Sequence, residues 1–362
     1  MTPRDLHPGA WWIWALGLAT AASATTNPFV LVLIVLAAAS VVLARRTEAP
    51  WALSFRLYVY LALLIIAIRV VFRIVFGGVD DDVVLFSLPQ IPLPDFAAGI
   101  QLLGPVTRTD LLGGLYDGLR LAAIILCVGA ANTLANPRRL LASLPPALYE
   151  LGTAIVVALS VFPQLAESIG RVRRARALRG DPGRGIGALR RIVVPVMEDA
   201  LDRSMSLAAG MDARGYGRAG TASKAERRVT GLLMISGLVG LCVGVYALLD
   251  RTAPRWLALP FLVGGVLVAA AGLASAGRRV QRTRYRPDPW RAAELLTMAC
   301  GIAAAALVLT AGAAVAYPAL EVLPGLSIPV LLAIVAATAP AFLTPPPALD
   351  AAFAELSERG AP

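Results

Sequence analysis

Eight runs of apolar residues recur along the chain, at about 9–26, 28–43, 57–76, 111–134, 229–249, 256–276, 292–317 and 326–343. A helix needs about 17–25 such residues to cross a bilayer core. In hydrocarbon the backbone must satisfy its own polar groups, so runs of this length read as membrane helices. Composition agrees: 15% of residues are charged, where a soluble domain carries about 25%. The fold class expected is therefore an all-α polytopic membrane protein of about eight transmembrane helices.

The formal net charge of +10 is almost wholly arginine, since Lys224 is the only lysine. In a soluble chain that balance would suggest nucleic acid. Here the arginines gather beside the apolar runs, at Arg45-Arg46, at Arg138-Arg139 and in the stretch from Arg278 to Arg291. Cytoplasmic loops of membrane proteins have this pattern. It argues against a nucleic-acid partner and for a multi-pass protein of the cell membrane, with both termini cytoplasmic. Asn27-Pro28 marks a turn between the first two runs. A cleavable signal peptide competes for the first run, because Ala22-Ser23-Ala24 resembles a cleavage site. Trp11, Trp12 and Trp14 instead suit an interfacial anchor, so a retained helical hairpin is favoured.

Few residues offer chemistry. Cys127, Cys242 and Cys300 lie singly in separate apolar runs, and His7 is the single histidine. Neither a disulfide framework, a metal site nor a catalytic constellation is indicated, and no cofactor is expected. Asp80, Asp81 and Asp82 open a long connection from Gly77 to Arg108, read as an outer loop. Four charges sit inside apolar runs: Arg69 and Arg73, one turn apart, and Asp117 and Arg120. The two arginines either snorkel to headgroups or pair with Asp117 or a buried carbonyl.

Between the fourth and fifth runs the pattern changes. Residues 136–228 hold eight arginines from Arg171 to Arg191 against one acid, Asp181. The apolar piece from Leu151 to Phe162 is too short to span and fits a core-buried or interfacial helix. One helix is expected to run from Pro145-Pro146 to about Arg179. A second runs from about Ala188 to Arg214, with Pro195 as a kink. Both end on arginine followed by glycine, Arg179-Gly180 and Arg214-Gly215. One such pair is ordinary capping, a cation at the negative end of the helix dipole and glycine in the left-handed position. Two, closing paired helices between membrane blocks, call for a function. The domains expected are a membrane block over 1–135, a cytoplasmic coupling region over 136–228, a second four-helix block over 229–345 and a cytoplasmic tail over 346–362.

The segment from Asn136-Pro137-Arg138-Arg139 through LASLPPALYELGTAIVVALSVFPQLAESIGRVRRARALRG to MDARGYGR resembles the coupling region of energy-coupling factor (ECF) transporter T components, the CbiQ-like transmembrane proteins. The opening LHPGAWW, the Asn27-Pro28 hairpin and Arg120 add to the likeness, which covers roughly residues 1–250. Ala213-Arg214-Gly215 matches the family's Ala-Arg-Gly motif, whereas the first copy has Leu178 in place of alanine. The resemblance implies a non-catalytic scaffold of an ABC-type importer for a vitamin or transition-metal ion. Its partners would be two ABC ATPase subunits and a small substrate-binding membrane subunit. Arg179, Gly180, Ala213, Arg214 and Gly215 would form the ATPase-docking ends. No GxxxxGK[ST] phosphate loop occurs in the chain, so ATP hydrolysis would belong to the partners. The alternatives are a polytopic membrane enzyme, such as a lipid or sugar transferase, and a self-sufficient secondary transporter.

Overall fold

The computed structural model describes residues 4–47, 55–76, 83–89, 103–143, 145–180, 186–215, 223–250, 254–277, 288–320 and 322–346. The Asp80–Asp82 cluster lies outside them. The described chain is almost entirely helical, and seven helices are long and apolar enough to cross a membrane. The protein is an all-α polytopic membrane protein, as its composition requires.

Two compact units divide it, and they do not follow sequence order: Met1–Leu140 groups with Asp288–Pro362, while Leu141–Pro287 forms the other. The expected four-helix block over 229–345 is thereby corrected. Its first two helices belong to the unit of the coupling region, and its last helices belong to the N-terminal unit. The reason lies in packing, because the N-terminal helices leave polar groups that only the last segments satisfy.

In the first unit α1 (Pro8–Ser23) and α2 (Pro28–Arg45) form a helical hairpin. His7 and Asn27 cap their N-termini through side-chain acceptors, with proline in the first turn of each, where its missing N–H costs nothing. Next come α3 (Phe55–Phe76), a small antiparallel pair of β1 (Val84–Ser87) and β2 (Pro105–Thr107), and α4 (Arg108–Leu134). The strand pair occupies part of the connection read as a plain loop. Thr107 and Asp110 start α4 with a reciprocal capping box. The short α5 (Pro137–Ala142) follows.

The chain returns to this unit with α10 (Ala292–Leu309), α11 (Ala313–Ala316), α12 (Ile328–Thr338) and α13 (Pro340–Leu343). The apolar run expected over 292–317 is not one helix. It stops at Leu309, and Gly312 turns the chain with φ +68°, a conformation that glycine adopts without steric cost.

The core joins Trp14, Leu18, Leu31, Ile34 and Val41 to small residues of α4, α10 and α12, among them Ala130, Ala304 and Ala333. Lipid tails are as apolar as leucine, so close packing and buried hydrogen bonds must hold such a bundle. Gly17 and Gly301 meet where α1 crosses α10, each Cα hydrogen facing the other helix's backbone. A methyl at either position would strike backbone rather than a side chain. Gly301→Ala is therefore expected to lower the thermal midpoint of the detergent-solubilised chain, at about 1–3 kcal/mol of overpacking. Gly312→Asn should also be destabilising, because φ +68° with ψ 148° is a backbone conformation essentially confined to glycine, even though no atom crowds the site.

In the second unit α6 (Tyr149–Leu178) and α7 (Ile186–Ala213) precede an apolar hairpin, α8 (Lys224–Leu249) and α9 (Arg255–Gly277). Gly237, Gly240 and Gly244 of α8 lie against Ala269, Gly265 and Leu262 of α9 at backbone distance. The segment read as a 12-residue apolar piece is corrected too. Leu151–Leu178 is one continuous stretch, long and apolar enough to count among the seven. Pro163 sits inside α6 without ending it, and the flanking Gln164 and Glu167 only dilute its hydropathy. Conversely α1, with 16 residues, is shorter than the seven.

Candidate functional site

The helix pair α6–α7 carries the two arginine–glycine ends. Each helix closes in the same way. Arg179 N–H donates to Arg176 C=O at 3.0 Å and Gly180 N–H to Ala177 C=O at 3.1 Å. At the second end Arg214 N–H donates to Met211 C=O at 3.1 Å and Gly215 N–H to Asp212 C=O at 2.9 Å. Gly180 and Gly215 take φ +74° and +78°. A methyl on Gly180 would touch nothing within 4 Å, so conformation, not crowding, selects glycine there. The result is two arginines, each on the last turn of a helix and each followed by a sharp reversal.

Both arginines are exposed, and neither has an ion-pair or hydrogen-bond partner for its guanidinium among the described residues. Ala213 beside the second is exposed, and Leu178 beside the first is 90% exposed. The leucine that replaces alanine is therefore almost wholly uncovered among the described residues. An unpaired arginine beside an uncovered leucine on a helix tip can meet an acidic, apolar-walled groove on another protein.

What holds α6 against α7 is a polar clasp that sequence reasoning missed. Asp199 of α7 accepts from Ser168 Oγ at 2.6 Å and from Arg171 Nη2 at 2.9 Å, both on α6. Its other oxygen accepts from Arg203 Nε at 3.1 Å, and Arg203 reaches Gln164 at 3.5 Å. Buried Val196 packs beside it. The clasp borders a cleft of about 160 Å³ lined also by Leu165, Ala200 and Leu207. The Asp199–Arg203 pair at i,i+4 is legible in the sequence. Its connection to Ser168 and Arg171 is not, because nothing local fixes the register of one helix on the other.

The Ser168 hydrogen bond and the two arginines hold the Asp199 carboxyl below its usual range, against a smaller effect of desolvation. A carboxyl whose folded value is depressed stabilises above its unfolded value of about 3.9, and that contribution disappears as pH falls through the folded value. Loosening of the α6–α7 pair is thus expected only at acidic pH, below about 4. Asp199→Asn should show it already at neutral pH, read as faster hydrogen exchange of both helices around residues 164–171 and 199–203.

Among the apolar side chains of the two helices, Val196 is buried and Leu165, Ile169, Val172 and Ile192 are partly covered. Val193 and Met197 remain exposed, as do Leu189, Leu201 and Met205. These exposed apolar side chains wind around α7 rather than sharing one face.

The intramembrane charges are placed differently. Arg120 Nη2 donates to the Ser23 carbonyl at the end of α1 and makes no ion pair with Asp117 three residues earlier. Arg69 and Arg73 lie along the glycine face of α4, and no ion pair joins them to Asp117. Among the described residues no group of three or more His, Cys, Asp or Glu side chains is placed to hold a metal ion.

No curated protein matches the chain. The family model described as cobalt transport protein, CbiQ, matches residues 2–225. That span takes in α1 to α7 with both arginine–glycine ends and stops as α8 begins. With a membrane-helical body and more than half its length matched, the chain belongs to the CbiQ family of cobalt transport proteins.

Proposed function

We propose that this membrane transport component is the energy-coupling subunit of an ECF-type importer for a vitamin or transition-metal ion. In this reading the arginine–glycine ends of α6 and α7 lie on the cytoplasmic side as lever tips, and both chain termini are cytoplasmic. Arg179 and Arg214 each enter a groove on one of two ABC ATPase subunits and pair there with a carboxylate. Arginine suits the task because its planar fork engages a carboxylate bidentately and keeps its charge when desolvated. Closure of the ATPases on ATP moves the helix ends, and the Asp199 clasp makes α6 and α7 move together. The exposed apolar side chains of α7 pass that motion to a separate small substrate-binding membrane subunit. Catalysis belongs to the ATPases, and substrate choice to the small subunit.

The observation that carries this reading is the matched pair of helix ends, two uncovered arginines each followed by a left-handed glycine. Purifying the tagged full-length chain from its own membrane is expected to recover two ABC ATPase subunits and one small membrane protein. ATP hydrolysis should appear only in that complex. Substrate uptake into liposomes by the chain alone would instead support a self-sufficient transporter and defeat the proposal.

A further inference from the structure

Of the seven long apolar helices α3 is the least covered, with 6% of its apolar window buried. Its outward side chains are large, including Leu64, Ile68, Val71 and Phe72. Two arginines interrupt this face. Arg69 and Arg73 are exposed and one helical turn apart, and neither has an ion-pair or hydrogen-bond partner for its guanidinium among the described residues.

Their seats are shaped. A methyl on Gly114 of α4 would meet Arg73 Cγ at 3.0 Å and Cβ at 3.1 Å. One on Gly118 would meet Arg69 Cβ at 3.2 Å, and one on Gly113 would lie 3.5 Å from Arg73 Nη2. The glycines thus form a trough for the two aliphatic stems. The Arg73 stem runs from the level of Gly114 to that of Gly113, towards the end of the bundle where α3 ends and α4 begins. Asp117 rises from the same stretch of α4 and pairs with neither arginine. Two cations and one carboxylate leave the patch with a net charge of one positive.

Depth sets the partner. Arg73 and Arg69 precede the end of α3 by about 4.5 and 10 Å at 1.5 Å per residue. The 22-residue helix only just exceeds the hydrocarbon core of about 30 Å, so both backbones lie inside its edge and the long side chains reach toward the headgroups by snorkelling. A guanidinium there requires an anion or the polar interface.

We propose that Arg69 and Arg73 clamp the phosphodiester of a membrane phospholipid in the trough between α3 and α4. One monoanionic phosphodiester neutralises the patch, and guanidinium forks match its oxygens. The surrounding face favours acyl chains over a second protein's helix. Membrane helices approach one another through small residues, and α3 presents bulky ones.

Native mass spectrometry of the full-length chain in mild detergent tests this with three probes: phosphatidylglycerol, diacylglycerol with the same acyl chains, and inorganic phosphate. The wild type is expected to retain phosphatidylglycerol about tenfold better than diacylglycerol, with no competition from millimolar phosphate. Arg69→Leu/Arg73→Leu should erase the preference, and Arg69→Lys/Arg73→Lys should keep part of it, having the charge without the fork. If the leucine pair fails to fold, Gly114→Ala decides, since it keeps both charges and displaces the Arg73 stem. A preference undiminished in Gly114→Ala and in whichever double variant folds would overturn the proposal. So would effective competition by inorganic phosphate, which would mark a free-anion site. An unchanged lipid preference with loss of a copurifying membrane subunit would assign the face to protein docking.

Discussion

Arg179→Ala and Arg214→Ala together are expected to release the ATPase subunits while leaving the protein folded in the membrane. Each arginine is exposed and makes no ion pair within the described chain, so truncation removes nothing that the fold uses. In the complex each would be a charge-assisted contact whose loss leaves a carboxylate unpaired. Such a truncation costs about 2–5 kcal/mol, or roughly 30-fold to several thousand-fold in affinity per site at 1.4 kcal/mol per decade. With both sites lost, copurification should fall below detection and uptake should cease. Single variants should keep partial assembly, Arg179→Ala more than Arg214→Ala, whose flanking Ala213 permits the closer approach. Arg→Lys at either site should recover only part of the loss, because charge survives and the fork does not. Unchanged ATPase recovery with the double variant would refute the docking role.

A second large effect is expected in the first unit. Asn27 is fully buried between α1 and α2. Its amide donates to the carbonyls of Val315 and Gly325, each at 2.9 Å, while its oxygen caps α2 through Phe29 and Val30. Thr25 Oγ1 donates to Ala316 C=O at 2.7 Å. On the opposite side of the unit Arg4 pairs with fully buried Glu294 at 2.9 Å, and Trp14 Nε1 donates to Ala337 C=O at 3.1 Å. Ending the chain after Pro287 removes every one of these partners at once. At about 1–3 kcal/mol for each buried donor left unsatisfied on Asn27, Thr25 and Trp14, and more for the Arg4 guanidinium, the loss is comparable to the roughly 5–15 kcal/mol that typically holds a domain. The truncated chain should fail to accumulate in the membrane, although the whole family-matched region is still present. Asn27→Leu in the full-length chain is the milder test. It should lower the thermal midpoint and leave ATPase recovery from the surviving fraction normal. Normal accumulation of the truncated chain would mean that the last helices are accessory to the fold.

Much of this was legible in the sequence, for identifiable reasons. Apolar runs reported the membrane class because hydrocarbon tolerates few alternatives to helix. Both arginine–glycine ends were visible because helix termination is a local matter of dipole, carbonyl and left-handed glycine. What escaped was set over distance. The grouping of α10 to α13 with α1 and α2 rests on Asn27, Trp14 and Arg4 finding partners some 300 positions away, and one-dimensional patterning carries no trace of that. The Asp199 clasp escaped likewise, through an inter-helix register that no single helix encodes. The helix ending near Arg179 was legible, but its apolar length was understated, because a count of consecutive apolar residues stops at Phe162 while the apolar stretch continues.

The division of the first unit between the two ends of the chain also sets a clock on its biogenesis. Asn27 and its acceptor Val315 are separated by 288 positions. At 5–20 residues per second, synthesis of the intervening chain takes about 15–60 s. For that interval the amide of Asn27 and the guanidinium of Arg4 sit at the membrane without their final partners. Meanwhile the intervening unit is fully synthesised once Pro287 has been added. The order of completion is then the reverse of the order of appearance: the unit that starts second is complete before the one that began emerging ahead of it. A newly made chain would be exposed to membrane chaperones and proteases until its last helices arrive, and the final 75 residues would act as the release from that surveillance.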